Sequence, residues 1–269
     1  MFKLGILFGD GVDIPEIAEG YEFYEIPCGI QMDPMQSDYI WQQKKAEIQA
    51  ECNLPIPVCS HFIHNYGLHA CGPMADFKQL EFAASRSLER CREIGVKIAG
   101  VFGMFFPLED EKDRAQREDE TIKYLRMLDK YAQENDVLIA LEPMAGLKTV
   151  FPRYLDGLRI AEAVGGKNIK VMADIDYFLA LNQPFDHIRT ESEKCLHVHI
   201  GGVGAQPNVG GREEILINLF NVLKDVGYEG GVSCACPWKS TTGGELDKKY
   251  ETGLTLDYLK KLRAQVYNV

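Results

Sequence analysis

The sequence predicts an α/β protein that folds as one (β/α)8 barrel, a TIM barrel, with a single domain over residues 1–269. Two observations support this fold class. Short apolar runs alternate with longer amphipathic stretches, which is typical of parallel strands joined by right-handed helical crossovers. Eight such units fit a chain of 269 residues, an ordinary length for this barrel. The alternative is an open doubly wound sheet, but the GxGxxG motif that usually follows its first strand is absent.

Eight apolar runs are the predicted strands. Several of them are almost continuously apolar, as expected for strands that are covered on both faces. The runs cover residues 3–9, 21–28, 56–62, 97–103, 137–143, 169–175, 195–201 and 231–237.

Helical periodicity is found in the segments between these strands. In residues 76–95, for example, Leu80, Leu88 and Cys91 fall on one stripe and Gly95 is a stop signal. The gap between the first two strands leaves room for only a short helix. The predicted helices cover residues 36–53, 76–95, 118–136, 153–166, 212–230 and 254–267.

Composition narrows the class of partner. The formal net charge is −11 and the isoelectric point is about 5.1, which disfavours nucleic acid, whose binding needs basic residues to replace counterions. The sequence has no apolar run of the roughly 18 residues that a membrane span needs. The start of the chain does not resemble a signal peptide, and the eight cysteines form no CxxC pair. We therefore expect a cytoplasmic protein with reduced thiols, and no nucleic-acid or membrane partner.

Polar residues end several of the predicted strands, where a barrel of this type has its active site. They are His61, Glu142, Asp174, His199 and Cys236. Two carboxylates and an imidazole that converge at one rim would be costly to bury without a cation between them. This ligand set suits Mn²⁺, Mg²⁺ or Co²⁺.

Several of these residues also have a structural interpretation, which for Cys236 is apolar core packing, because Cys234 is predicted on the same face of the strand. Glu142 precedes a proline and is compatible with a solvated loop carboxylate, and Asp174 is compatible with a cap on the following helix. His197 lies deeper in its strand and is interpreted as core packing. His64 and His69 are interpreted as loop residues. Convergence of three polar residues at successive strand ends favours the functional interpretation.

Four motifs resemble the xylose-isomerase-like TIM barrels, and in particular their sugar isomerase/epimerase group: "LIALEP", "VMADIDYF", "HVHIGG" and "GYEGGVSCACPW". The resemblance covers essentially the whole chain. It implies metal ligation by Glu142, Asp174 and His199. The family's fourth ligand is a glutamate in an "EP" pair, and Cys236 stands in its place. A substrate-binding histidine of the family is replaced by Tyr177.

The resemblance implies a metal-dependent isomerase or epimerase of a small carbohydrate, with proton transfer α to a carbonyl through an enediolate. In the ketose 3-epimerase branch, the glutamates matched by Glu142 and Cys236 each hold the metal and move a proton. Three roles for Cys236 stay open. It is a thiolate ligand that favours Zn²⁺, or the acid/base itself, or the mark of a non-catalytic sugar-binding paralogue with an incomplete metal site.

Two other branches of the resemblance are alternatives. One is a lyase or dehydratase that acts on a cyclic polyol ketone. The other, a DNA-repair endonuclease, is disfavoured because it needs about three metals and more ligands, and because the chain is acidic.

If the substrate is a carbohydrate, further residues are candidates to bind it. His61 and Lys148 are candidates to bind substrate oxygens, although loop lysines are usually solvated. Trp238, Phe105 and Phe106 are candidates to stack on a sugar ring, and an interface patch explains them equally well. Homo-oligomerisation is compatible with these exposed aromatics and with the long C-terminal helix. The loop after His199, "GGVGAQPNVGG", lacks the arginine that epimerase relatives often carry.

Overall fold

The computed structural model describes residues 1–62, 67–146 and 148–269. Eight parallel strands pair in sequence order, and β1 pairs with β8 to close the barrel. The prediction of a TIM barrel is therefore confirmed. The strands are β1 (Lys3–Leu7), β2 (Phe23–Pro27), β3 (Val58–Ser60), β4 (Ile98–Phe102), β5 (Leu138–Glu142), β6 (Ile169–Asp174), β7 (Cys195–Ile200) and β8 (Gly231–Cys234).

Helices follow the strands and cover the outside of the barrel. They are α1 (Cys28–Gln31), α2 (Asp38–Glu51), α3 (Phe77–Ile94), α4 (Arg114–Asn135), α5 (Tyr154–Val164), α6 (Ile175–Ala180), α7 (Glu213–Asp225) and α8 (Lys248–Tyr267). The first loop holds only a 3₁₀ turn, Ile14–Glu16, as its length predicted. Helix α8 begins six residues before the predicted start because the Asp247 side chain caps it by accepting from the Tyr250 backbone N–H at 3.0 Å. Within the described residues, no helix is long and apolar enough to cross a membrane.

Several strands end earlier than predicted, and two of these differences bear on the site. Strand β8 ends at Cys234, so Cys236 lies in the loop that follows. Strand β3 ends at Ser60, and His61 adopts a left-handed backbone with φ of 52°. Strand alternation therefore does not set the direction of the His61 side chain. Cys59, two residues before His61, faces the helix layer, where its Sγ lies 3.6 Å from the Sγ of Cys91 on α3.

A large aromatic side chain fills the lower part of the barrel interior. Phe23 on β2 lies against Gly5 on β1 and Gly231 on β8. A Cβ atom would come within 2.2 Å of the Phe23 ring at Gly5, and within 2.6 Å at Gly231, so only glycine fits at both positions. Two residues further along β2, Glu25 points into the next layer of the interior because side chains alternate along a strand.

Candidate active site

Three side chains from adjacent strands meet at the C-terminal end of the barrel. Glu142 ends β5, Asp174 ends β6 and His199 is the penultimate residue of β7. One ligand atom from each of them lies within 4.8 Å of the others. The His199 Nδ1 atom is 3.6 Å from Glu142 Oε1 and 3.8 Å from Asp174 Oδ2. The structure thus brings together the three residues that the sequence pointed to.

A fourth residue, Glu25, holds His199 from below. Its carboxylate is fully buried and accepts two hydrogen bonds, from His199 Nε2–H at 2.8 Å and from His197 Nε2–H at 2.9 Å. Since a carboxylate only accepts, both histidines carry a proton on Nε2. The Nδ1 atom of His199 is thereby directed toward Glu142 and Asp174. A carboxylate behind a ligating imidazole is the usual outer-shell arrangement of protein metal sites.

The pKa values of these groups reflect crowding of like charges. Burial raises the pKa of Asp174 to about 7, and the neighbouring Glu142 carboxylate adds to the rise. Burial alone would lower the pKa of His199, but the Glu25 and Glu142 carboxylates raise it well above its usual range. The two histidines hold the pKa of Glu25 well below its usual range, despite the opposing effect of burial. The negative charge at the pocket floor is therefore stabilised by any added cation.

Asp174 caps a helix with one carboxylate oxygen and faces the cavity with the other. Its Oδ1 caps α6 by accepting from the backbone N–H groups of Asp176 at 2.7 Å and Tyr177 at 3.4 Å. Its Oδ2 faces His199. The cap fixes the carboxylate so that the second oxygen points into the pocket. The structural and functional interpretations of Asp174 are compatible because each uses a different oxygen.

The residues present fit a divalent metal ion. Glu142 Oε2 is buried and has no hydrogen-bond partner among the described residues, which is unfavourable for a carboxylate oxygen without a cation. Two carboxylates and one imidazole form a donor set of oxygen and nitrogen that suits Mn²⁺, Mg²⁺ or Co²⁺. Cys236 does not belong to the metal-binding groups that the described residues form, so its thiol does not add the soft ligand that would favour Zn²⁺.

The three groups lie in a cavity of about 390 Å³ at the carboxyl ends of the strands. His61 also lines it, with its Nδ1 3.7 Å from Asp10 Oδ2 and its ring edge-on to Phe102 at 4.6 Å between centroids. Tyr177, in the first turn of α6, faces the same space. The lining residues are Leu7, Asp10, Gly11, His61, Phe102, Glu142, Asp174, Tyr177, His199, Ala235, Cys236 and Pro237.

Cys236 reaches the cavity from the opposite wall, through the loop after β8. Gly201, directly after β7, lies against this loop, and Gly202 lets the loop after β7 fold closely on itself. A Cβ on Gly201 would lie 3.3 Å from the Cys236 Cβ, and one on Gly202 would lie 2.2 Å from the Gln206 carbonyl oxygen. Burial raises the pKa of the Cys236 thiol well above its usual range, and neighbouring acidic groups raise it further. Cys236 is therefore a neutral thiol at physiological pH.

Several other sequence candidates lie elsewhere. Lys148 lines a separate cavity of about 620 Å³, and its Nζ donates to the Glu109 carbonyl at 3.3 Å. Trp238, Phe105 and Phe106 are buried in the hydrophobic core, so they do not stack on a ligand in the cavity. Phe102, which the sequence did not single out, lines the cavity instead. His64 lies outside the described residues.

A sequence model of the xylose isomerase-like TIM barrel family matches residues 17–262. The chain belongs to this family. Among curated protein sequences, none matches significantly.

Solved structures with the same fold include three sugar epimerases. The D-psicose 3-epimerase of Clostridium cellulolyticum H10, solved with D-tagatose, has a TM-score of 0.79 at 19% identity and covers 97% of this chain and 99% of its own. The 3-keto-D-glucoside 4-epimerase of E. coli has a TM-score of 0.76 at 18% identity, with coverage of 98% and 100%. An L-ribulose 3-epimerase has a TM-score of 0.72 at 16% identity, with coverage of 99% and 97%. At these identities the likeness establishes the fold.

Two residues of this family member escaped the sequence analysis. Glu25 is an acidic residue inside the otherwise apolar run "FYEIP", and a charge at an inward position of a buried strand is a usable signal. Arg212 follows the loop that was noted for lacking an arginine. It donates to the Gly201 carbonyl at 3.0 Å and forms an ion pair with Asp176. Only the fold brings Arg212 back to the end of β7.

Proposed function

We propose that this protein is a metal-dependent isomerase or epimerase of a small, unphosphorylated carbohydrate. The observation that carries the proposal is the convergence of Glu142, Asp174 and His199 on one cavity, with Glu142 Oε2 buried and without a partner among the described residues. These three residues would hold the metal ion. A bound divalent ion would polarise the substrate carbonyl and stabilise the negative charge that develops on its oxygen.

Glu142 is the proposed base. It is a buried carboxylate at the cavity floor, so it can take the proton from the carbon next to the substrate carbonyl. Return of the proton from Glu142 to the neighbouring carbon would interconvert an aldose and a ketose. The neutral thiol of Cys236 is the proposed second proton donor.

Cys236 and Glu142 line the same cavity. The two residues follow strands that lie three places apart in a ring of eight, so they approach a bound substrate from different sides. In an epimerisation, Glu142 would take the proton from one face of the carbon and the Cys236 S–H would deliver a proton to the other face. The resulting thiolate would regain its proton from solvent, and Glu142 would release its own.

The charge of the cavity supports a neutral substrate. The described lining contains three carboxylates, Asp10, Glu142 and Asp174, and neither lysine nor arginine. The residues outside the described ranges, 63–66 and 147, include no lysine or arginine either. Arg212, near the end of β7, is neutralised by Asp176. Phosphate and carboxylate groups are usually bound by arginine or lysine, so a free sugar fits this cavity better than a sugar phosphate.

The test is exchange of the substrate's α-hydrogen. The protein, loaded with Mn²⁺, is incubated in D₂O with a panel of free ketoses and the corresponding sugar phosphates, and deuterium incorporation is followed by proton NMR. We expect incorporation and a new isomer with at least one free sugar, and none with its phosphate. The same spectra report elimination, because a lyase yields a dehydrated product.

A variant pair separates the two proton-transferring groups. Glu142→Gln should abolish both exchange and conversion. Cys236→Ala should retain exchange through Glu142 and lose most of the epimer. Substrate conversion by Glu142→Gln at the wild-type rate would contradict the proposal. A dehydrated product would replace the isomerase by the lyase, and carbohydrate binding without exchange would identify a binding protein.

A further inference from the structure

Three cysteines meet between the barrel and its helix layer, away from the cavity. Cys28 begins α1 after β2, Cys59 lies on β3 and Cys91 lies on α3. All three are fully buried. Their sulfur atoms lie within 4.8 Å of one another, and the Sγ atoms of Cys59 and Cys91 are 3.6 Å apart. Three of the eight cysteines of this chain thus converge from separate elements on one point.

The surroundings of this cluster contain polar groups that the core does not satisfy. The Tyr124 hydroxyl is fully buried and has no hydrogen-bond partner among the described residues. Burial raises the pKa of Tyr124, and a negative charge on the nearby Cys28 would raise it further. Ser87, one turn before Cys91 on the same helix, is also buried with its Oγ unpartnered in the described part of the chain. A core built for apolar packing alone would not need these hydroxyls.

We propose that Cys28, Cys59 and Cys91 form a binding site for a thiophilic monovalent cation of the Cu(I) class. Three sulfurs arranged trigonally around an ion, with metal–sulfur bonds of about 2.3 Å, lie about 4 Å apart, which agrees with the separations in this cluster. Each thiol that binds gives its proton to solvent. The spare Tyr124 hydroxyl is a donor for the negative charge that remains on the sulfurs.

The donor set favours Cu(I) over the other metals that thiolates bind. Zn²⁺ takes four ligands in structural sites, and the group formed by the described residues has three. Soft thiolates without carboxylate or imidazole bind Cu(I), Zn²⁺ or iron–sulfur clusters, and of these Cu(I) is the one that a set of three thiolates fits. The carboxylate and imidazole site at the barrel end has the opposite preference, so the two sites would take different metals.

An anaerobic competition titration with a colorimetric Cu(I) chelator tests the proposal on the full chain. The measurement uses protein expressed with supplementary copper and protein titrated after purification. We expect about one tightly bound Cu(I) per chain, and its loss in Cys91→Ser. The matched controls are Cys52→Ser, at a partly exposed cysteine, and Cys236→Ser. Both should bind Cu(I) as the wild type does.

X-ray absorption at the copper edge provides a second readout that does not depend on a destabilising variant. The wild type should show three sulfur neighbours and Cys28→Ala two. Absence of tight Cu(I) binding under both loading conditions would overturn the proposal and leave the cluster as apolar packing. Binding that persists undiminished in Cys91→Ser, or that is lost in Cys236→Ser, would also overturn it by locating the copper elsewhere.

Discussion

The two walls of the cavity are built in different ways. The β5–β7 wall carries Glu142, Asp174 and His199 on residues of the strands themselves, and Glu25 supports His199 from the barrel interior. The β8 wall carries Cys236 on a loop, two residues after its strand ends. The first wall is held by strand pairing and by hydrogen bonds to buried groups. The second depends on the path of a loop that passes close to Gly201.

This difference indicates which site residues are held in a defined direction and which depend on the path of a loop. A ligand on a paired strand points in a direction that the sheet dictates. A residue on the loop after β8 depends on the local path of the chain, so replacement of a carboxylate by a thiol there leaves the other wall intact. We therefore expect changes in the β5–β7 wall to have larger effects than changes in the β8 wall.

The largest effect is expected from Glu142→Gln. The amide keeps the size of the side chain but cannot take a proton, so α-hydrogen exchange should fall by roughly 10²–10⁴-fold. The rate of deuterium incorporation by NMR measures this change. Exchange at the wild-type rate would show that the proton is moved by another group. It would also contradict the expectation that changes in the β5–β7 wall have the larger effects.

Glu25→Gln should come next. The carboxylate accepts from two N–H groups, whereas an amide offers one acceptor and one donor, so one histidine meets a donor or changes its tautomer. In His199 the other tautomer would place a proton on Nδ1, toward the proposed metal. We expect Mn²⁺ affinity to fall about 10- to 100-fold, measured by isothermal titration calorimetry. Glu19→Gln, on an exposed residue just before β2, is the control and should change nothing. Unchanged affinity in Glu25→Gln would limit Glu25 to a packing role.

Cys236→Glu tests whether the β8 wall can contribute a metal ligand. A carboxylate on the β8 wall adds a fourth oxygen donor, and we expect Mn²⁺ binding to tighten by about tenfold, or about 1.4 kcal/mol. Cys236→Gln is matched in size without the charge and should not tighten binding. Equal affinities in both variants would indicate that the loop holds position 236 too far from the other three residues.

The smallest effect concerns pH. The pKa of Asp174 is raised to about 7 from its ordinary value of 3.8, so the folded protein holds this proton more tightly than the unfolded chain does. Stability without metal should therefore fall as pH rises through this interval. The raised pKa of His199 acts in the same direction, and the lowered pKa of His197 opposes it in part. We expect the melting temperature to fall by several degrees between pH 5 and pH 8, since about 1 kcal/mol corresponds to roughly 2–4 °C.

Calorimetry with and without Mn²⁺ checks this dependence. Added Mn²⁺ should stabilise the protein more at the higher pH because its ligands bind in the deprotonated form. Asp174→Asn removes the titrating group and should flatten the profile without metal. A wild-type profile that rises with pH would contradict the proposed crowding of charge.

The sequence predicted the position of a site residue wherever that residue lies at the end of a strand, because the strand then fixes where its side chain lies. Glu142, Asp174 and His199 could be predicted because each comes at the end of an apolar run, and the closed barrel brings those ends together. Glu25 was missed because it lies in the middle of a strand that was read as apolar. Its importance depends on His197 and His199, which are distant in sequence and reach it across the barrel.

Residues in loops could not be placed in this way. Lys148 and Trp238 follow strands in sequence as Cys236 does, yet one lines a different cavity and the other is buried in the core. The direction of His61 depends on a left-handed backbone that no apolar pattern signals. The thiol cluster joins β3 to two helices, and only tertiary packing brings those sulfurs together.

Metal content is the most direct test of the central claim that Glu142, Asp174 and His199 hold a divalent ion without help from Cys236. The protein is loaded with Mn²⁺, desalted and analysed by elemental mass spectrometry beside Asp174→Asn and Cys236→Ser. We predict about one Mn²⁺ per chain in the wild type and in Cys236→Ser, and almost none in Asp174→Asn. No metal in the wild type, or equal amounts in all three proteins, would contradict the account.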